Sequence, residues 1–285
     1  MKNSIVIALC LVFIAVCSSG PTGEEKVMDI KIDLQIPEEF DKKNGNTTYG
    51  NLTQVEYYST TTQAARKCYI YTPPGYDPQK TYPVLYLLHG IGGTHSEWLG
   101  GAPNEILSNL IASGKAPPMI VVMPNVRAMQ NDSVPSYVYG QANVAAFNNF
   151  INDLRDDLMP FIKENYPVSE KREERAIAGL SMGGMEALYI GVSMPETFGY
   201  IGAFSPAPGL PLTAEQMTLP GEYKNNTFIL ICCGNQDGLL SFASSYHANL
   251  ENSQIKRLFY YTIDGGHDFG VWKHGLYNFA KNIFR

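Results

Sequence analysis

Six short runs in this chain, residues 84–88, 119–123, 176–180, 200–204, 228–232 and 258–263, are apolar at every or nearly every position. A strand with one face in water alternates apolar and polar residues, so runs of this kind read as strands covered on both faces. Segments of helical period lie between them. Ile106, Leu107, Leu110 and Ile111 mark one; Val144, Phe147, Ile151, Leu154 and Leu158 mark the longest; residues 182–192, 239–250 and 271–283 supply three more. Strand and helix in alternation require crossover connections, which make neighbouring strands parallel and place helices on both sides of the sheet. The pattern predicts a single α/β domain with a mostly parallel central sheet. Ahead of it, residues 55–59 and 68–72, the second closed by Pro73, Pro74 and Gly75, read as an antiparallel hairpin.

A chain of 285 residues with 45 % hydrophobic content can fill one such core, which excludes disorder across its length. Its 21 Lys and Arg against 27 Asp and Glu leave a net charge of −6, so the basic footprint of a nucleic-acid binder is missing. The amino terminus has Lys2, an apolar run from Ile5 to Val16, and then Cys17, Ser18, Ser19, Gly20 and Pro21. These match the charged, apolar and cleavage regions of a signal peptide over residues 1–19, and the apolar run is too short to span a bilayer. Export of a mature chain is expected, with acylation at Cys17 as a lesser alternative. Residues 20–49 read as a polar leader carrying one alternating stretch, Ile30, Ile32, Leu34 and Ile36, that suggests an extended arm. The catalytic domain is expected over 50–285. After removal of the leader the cysteines are Cys68, Cys232 and Cys233, and the latter two, inside an apolar run, read as buried thiols rather than a bridge. Asn46, Asn51, Asn131 and Asn225 head glycosylation triplets, relevant only in a eukaryotic host.

Gly179-Leu180-Ser181-Met182-Gly183 stands between a buried strand and a helical period. Strand, sharp turn and helix form the setting in which Gly-x-Ser-x-Gly makes a nucleophile elbow, with a serine hydroxyl exposed above the sheet edge. Such a serine needs a base within hydrogen-bond reach and an acid to orient the base, in the chain order serine, acid, histidine. Asp237 follows the 228–232 run and His267 follows the 258–263 run, so both fall at the same sheet edge as Ser181. His89, His95, His247 and His274 are less well placed. Asp264 and Asp268 are the rival acids, although each would have to fold back sharply on His267. Leu88-His89-Gly90-Ile91-Gly92-Gly93 ends an earlier strand in a glycine-rich loop. The N–H groups of Ile91 and Met182 are the expected oxyanion hole. No His or Cys spacing of a metal site and no Gly-x-Gly-x-x-Gly fingerprint is present, so neither metal nor cofactor is expected. The Pro- and Gly-rich connection 205–226 is long and irregular, as functional loops often are.

Residues 71–76 (Tyr-Thr-Pro-Pro-Gly-Tyr), 87–93, 176–184 and 265–269 (Gly-Gly-His-Asp-Phe), together with the Gly-Asn-Gln-Asp context of Asp237 and Trp272 beyond the histidine, resemble the feruloyl esterases of carbohydrate esterase family 1. These belong to the esterase D-like branch of the α/β hydrolases, and the likeness runs from about Phe40 to the end. The resemblance implies an α/β-hydrolase fold, with Ser181 as nucleophile, His267 as base, Asp237 as acid, and Ile91 and Met182 at the oxyanion hole. It further implies hydrolysis of feruloyl or p-coumaroyl esters of arabinoxylan or its oligosaccharides. Trp98, Leu210 and Trp272 are candidate pocket residues, with core packing the alternative for each. Acetyl xylan esterase, siderophore esterase and acyltransferase activities are compatible with the same residues, and a non-catalytic carbohydrate-binding protein is the remote alternative.

Overall fold

A computed structural model describes residues 30–285. The expected signal segment 1–19, including Cys17, and residues 20–29 of the expected leader lie outside them. Each buried run forms a strand. The strands are β1 (Asn51–Ser59), β2 (Ala64–Thr72), β3 (Val84–Leu88), β4 (Ile120–Pro124), β5 (Arg175–Leu180), β6 (Tyr200–Phe204), β7 (Phe228–Gly234) and β8 (Arg257–Ile263). They build one sheet in the order β1-β2-β4-β3-β5-β6-β7-β8. From β4 to β8 neighbours run parallel, while the β1–β2 hairpin joins antiparallel through β2 to β4. The helices are α1 (Pro103–Ala112), α2 (Gln141–Asn148), α3 (Phe150–Asp153), α4 (Met159–Asn165), α5 (Met182–Ser193), α6 (Tyr223–Asn226), α7 (Leu240–Asn252) and α8 (Phe269–Asn282). This is the mostly parallel α/β sheet expected from the alternation, in the α/β-hydrolase arrangement that the resemblance implies.

The connectivity locates the site. The chain leaves β3 toward β4 on one side and reaches β5 on the other, with Leu88 opposite Gly179 in the β3–β5 register. Where successive crossovers part in this way, a crevice opens beyond the carboxyl ends of the strands. The loops after β3, β4 and β5 therefore share one rim.

Two expectations need correction. Strands β3, β4, β6 and β7 are buried at every position, but β8 is an edge strand in which only Tyr261 is buried. Its apolar run reflects one covered face plus aromatic residues, not two covered faces. The longest helical period is also interrupted: a π-helical turn, Leu154–Leu158, separates α3 from α4. Asp153 accepts from the Tyr57 hydroxyl at 2.6 Å and pairs with Arg66 at 3.2 Å. Asp157 accepts from the Thr60 and Thr61 N–H groups at 2.9 and 3.0 Å. These acids tie the interrupted helix to the β1–β2 hairpin, where simple amphipathicity foresaw only an apolar stripe.

The alternating stretch after Ile30 forms no strand. It lies along α8 through side-chain amides: Asn282 exchanges hydrogen bonds with the Lys31 backbone (3.1 and 3.0 Å) and Asn278 with that of Asp33 (2.8 and 3.0 Å). Spacing of four on the helix matches spacing of two on an extended chain, because 6.0 Å of helix rise is close to the length of two extended residues. Cys68, Cys232 and Cys233 are buried and free.

Candidate active site

The elbow after β5 is held in a conformation that an L-residue rarely adopts. Ser181 has φ 53° and ψ −119°, a strain of about 1–3 kcal/mol that surrounding bonds must sustain. Its N–H donates to Phe204 O at 2.9 Å, and its carbonyl accepts from Gly184, Met185 and Ala207 at 3.0, 3.1 and 3.0 Å. Glycine is needed at 183 because a Cβ there would collide with the carbonyl oxygens of Leu88 (2.6 Å) and His89. The helix after the elbow thus starts hard against the loop after β3.

The loops after β7 and β8 bring the other two residues to Ser181. His267 Nε2 lies 2.9 Å from Ser181 Oγ, and His267 Nδ1 lies 2.9 Å from Asp237 Oδ2. A carboxylate can only accept, so the Asp237 contact places the imidazole proton on Nδ1 and leaves Nε2 to accept from the serine hydroxyl. Burial acts to raise the Asp237 carboxyl, but the Leu239 N–H, the His267 ring and the Ser205 hydroxyl outweigh it and hold it below the usual carboxylate value. Asp237 therefore stays ionised where it orients the imidazole. The rival acids are engaged elsewhere: Asp264 accepts from the Asn235 amide at 2.6 Å, and Asp268 caps α8 at the Gly270 N–H at 2.7 Å. Of the remaining histidines, His95 contacts Gln54, His247 stacks on Tyr260, and His274 is buried against Tyr261.

Across the crevice, the N–H groups of Ile91 and Met182 donate to no acceptor among the described residues. Gly93 N–H closes a turn onto Gly90 O at 3.0 Å. His89 Nε2 accepts from the Val126 N–H at 2.8 Å, so its proton resides on Nδ1 and is donated to Gly90 O at 2.7 Å. Burial pulls this imidazole down to about 4, which keeps it neutral. The peptide unit is planar and trans, so fixing Gly90 O on one side aims the Ile91 N–H to the other.

The candidate pocket residues divide. Trp98 is 1 % exposed and its indole donates to Leu88 O at 2.9 Å, so it packs beneath the loop and offers no surface to a ligand. Its aromatic character suggested a pocket; its burial assigns it to the core. Trp272 stands edge-on to the His267 ring at 5.0 Å, with an indole N–H that has no partner among the described residues. Leu210 is partly buried and packs on the core from the 205–226 connection.

Four residues escaped the sequence reading. Ser205, fully buried at φ 49°, reaches Asp237 from the end of β6. Glu97 accepts from the Gly90 N–H at 2.6 Å. Arg127 and Asn143 both reach the Ile91 carbonyl, at 2.8 and 3.5 Å. Only Ser205, following a strand at the edge that carries Ser181, had a positional signal; Arg127 and Asn143 act through contacts distant in the chain, and Glu97 through a backbone N–H that no side-chain pattern marks. Among the described residues no cluster of three or more His, Cys, Asp or Glu is placed to hold a metal ion.

Comparison with known proteins places the chain among esterases. Residues 59–281 match the family described as “Putative esterase”. An endo-1,4-beta-xylanase/feruloyl esterase of Xylanibacter ruminicola is 32 % identical over 88 % of this chain, which spans only 34 % of that relative's length. An iron(III) enterobactin esterase of Escherichia coli K12 is 26 % identical over 43 % of this chain. Among solved structures, a CE1 ferulic acid esterase from Anaeromyces mucronatus in complex with ferulic acid superposes with TM-score 0.83 at 30 % identity, over 90 % of this chain and 98 % of that one. The breadth of the family match, which takes in the elbow and both loops that face it, shows that this chain belongs to that esterase family.

Proposed function

We propose that the chain is a secreted feruloyl esterase that releases hydroxycinnamic acids from arabinoxylan through Ser181, His267 and Asp237. The observation that carries the chemistry is the continuous hydrogen-bonded relay from Asp237 through His267 to Ser181. The likeness to ferulic acid esterases supports the acyl group, and the xylanase context of the Xylanibacter relative supports the polysaccharide. An open cavity of about 250 Å³ beside Asn143 has Tyr137 and Tyr139 exposed near it, aromatic faces of a kind suited to sugar rings. The amino-terminal pattern supports export.

In this reading Ser181 Oγ attacks the ester carbonyl as its proton passes to His267 Nε2. Negative charge on the carbonyl oxygen is taken up by the Ile91 and Met182 N–H groups, which donate to no acceptor among the described residues. The imidazolium, stabilised by ionised Asp237, gives its proton to the departing sugar alcohol, leaving a feruloyl-Ser181 ester. Water then gives a proton to His267 and attacks this ester, and the proton returns to Ser181 as ferulate leaves.

Two variants test this. Ser181→Ala is expected to lower turnover of methyl ferulate by at least about 10⁴-fold and to abolish labelling by a fluorophosphonate. Asp237→Asn is expected to lower kcat by about 10⁴-fold with KM little changed, through loss of imidazole orientation. Undiminished turnover in Ser181→Ala overturns the catalytic reading; undiminished turnover in Asp237→Asn moves the acid to another residue. A panel of methyl ferulate, acetylated xylan and a catecholate siderophore ester separates the substrate readings, and preference for the siderophore ester would favour the enterobactin esterase likeness.

A further inference from the structure

We propose that Arg127 is a positioning residue for the oxyanion hole, gripping the turn after β3 from behind so that its N–H groups face the ester. The proposal rests on the esterase reading above and adds a residue to its machinery. Arg127 follows β4 and is fully buried. Its guanidinium donates to Ile91 O at 2.8 Å and Gly93 O at 3.3 Å from one face of the turn, and to Asp132 O at 3.2 Å from the loop beyond. Asn143 Oδ1 accepts from its Nε, and the Asn143 amide also donates to Val138 O at 2.6 Å. The planar fork is thereby fixed at both ends before it reaches the turn, the condition under which arginine positions backbone rather than following it.

The need for such a grip follows from the turn. Gly90 O is already held by His89 and by the Gly93 N–H, and the Gly90 N–H by Glu97. The Ile91–Gly92 peptide is the central unit of this turn, and a central peptide can flip with little displacement of the chain ends, the difference between turn types I and II. A glycine at 92 admits the positive φ that the flipped turn needs at its third position, and no atom lies within 4 Å of where its Cβ would stand, so the backbone there is not held by packing. A flipped peptide turns the Ile91 carbonyl outward, where its lone pairs would oppose negative charge on a bound ester. Arg127 binds that carbonyl in the inward orientation only.

The test uses Arg127→Gln, Arg127→Lys and Asn143→Ala in the full chain, with methyl ferulate and p-nitrophenyl acetate as substrates. Fluorophosphonate titration counts the competent sites. Per competent site, Arg127→Gln is expected to lower kcat about 10- to 100-fold, below the full effect of deleting an oxyanion donor, with KM within about threefold of wild type. Binding of a trifluoromethyl ketone analogue of ferulate, whose adduct places an oxyanion in the hole, should weaken by the same factor, while ferulate itself binds unchanged. Arg127→Lys should recover part of the loss, and Asn143→Ala should show the same pattern at smaller amplitude even if Arg127→Gln does not fold. Unchanged kcat, or a ketone affinity that stays at the wild-type value while kcat falls, overturns the proposal. Wild-type protein that hydrolyses p-nitrophenyl acetate but no feruloyl ester would remove the feruloyl reading alone, and the Arg127 comparison would stand on the acetate.

Discussion

The two walls of the crevice are built by different means. On one side the elbow Gly179–Gly183 is held by backbone packed on backbone, with no room for a side chain at Gly183. On the other, the turn Gly90–Gly93 has open space at Gly92 and is held by three side chains, His89, Glu97 and Arg127, that come from outside it. A sterically held segment is encoded locally and tolerates no added atom. A segment held by side chains is encoded by residues outside itself, here from His89 beside it to Arg127 in the next connection, and is adjustable. Ser181, whose position is set by a strained φ/ψ pair, belongs to the first kind, and the Gly90–Gly93 turn to the second.

The largest effect should come from adding one carbon to the rigid wall. Gly183→Ala places a Cβ against the Leu88 and His89 carbonyls, neither of which can move without disturbing β3 or the turn. A loss of about 3 kcal/mol in unfolding free energy is expected, the upper end of the range usual for overpacked cores, together with a fall in kcat per folded molecule. Urea denaturation and active-site titration measure the two. A stability within about 0.5 kcal/mol of wild type would show that the elbow wall yields, and the contrast between the walls would fail.

The same contrast explains what was legible in the sequence. Ser181, Asp237 and His267 could be grouped from the sequence because each lies just after a strand recognisable by its apolar run, and the fold carries such positions to one edge, where the three side chains meet in hydrogen bonds. The elbow was found because its steric demand appears as glycines two residues either side of the serine. Arg127, Glu97 and Asn143 were not, because the partners they hold in the turn are backbone groups that any sequence supplies, and for Arg127 and Asn143 these lie 34 to 52 positions away. The docking of residues 31–33 on α8 was hidden for the same reason: Asn278 and Asn282 bind backbone, not side chains. Trp98 illustrates the opposite error, since an aromatic residue near a catalytic motif looks the same whether it faces the pocket or supports its floor.

A second test concerns a buried carboxyl on the rigid side. Glu186, on α5 shortly after the elbow, is fully buried and neither carboxyl oxygen has a partner among the described residues. Arg127, equally buried, has an acceptor at each of its nitrogens. Burial pushes the Glu186 carboxyl from its ordinary value of 4.5 up to about 8, so the folded protein keeps a proton there that the unfolded chain has released. Between those two values the unfolded state binds fewer protons, and stability falls as pH rises until the folded carboxyl itself ionises. Glu186→Gln cannot titrate and should remove this slope. Relative to the variant, wild type is expected to lose on the order of a few kcal/mol between pH 5 and pH 8, read from urea denaturation at the two pH values. Parallel pH dependences would mean that Glu186 finds partners, and the difference from Arg127 would vanish.

The smallest effect belongs to Glu97, and there turnover and stability should move in opposite directions. Its carboxylate accepts from the Gly90 N–H at 2.6 Å, a short charge-assisted bond that holds the start of the turn. Burial nevertheless raises its carboxyl above the ordinary value, against the opposing effects of that N–H and of His267. The ionised form is therefore a net cost to the fold at neutral pH, present above the ordinary carboxylate value and growing until the folded group itself ionises. Glu97→Gln keeps an acceptor for Gly90 but removes the charge. Its kcat is expected to fall about three- to tenfold, the loss of about 1 kcal/mol of hydrogen-bond strength, while its Tm at pH 7 stays level or rises. A side chain that merely supported the fold would lose both together. If kcat is unchanged, the turn is held by His89 and Arg127 without Glu97, and the adjustable wall has two supports rather than three.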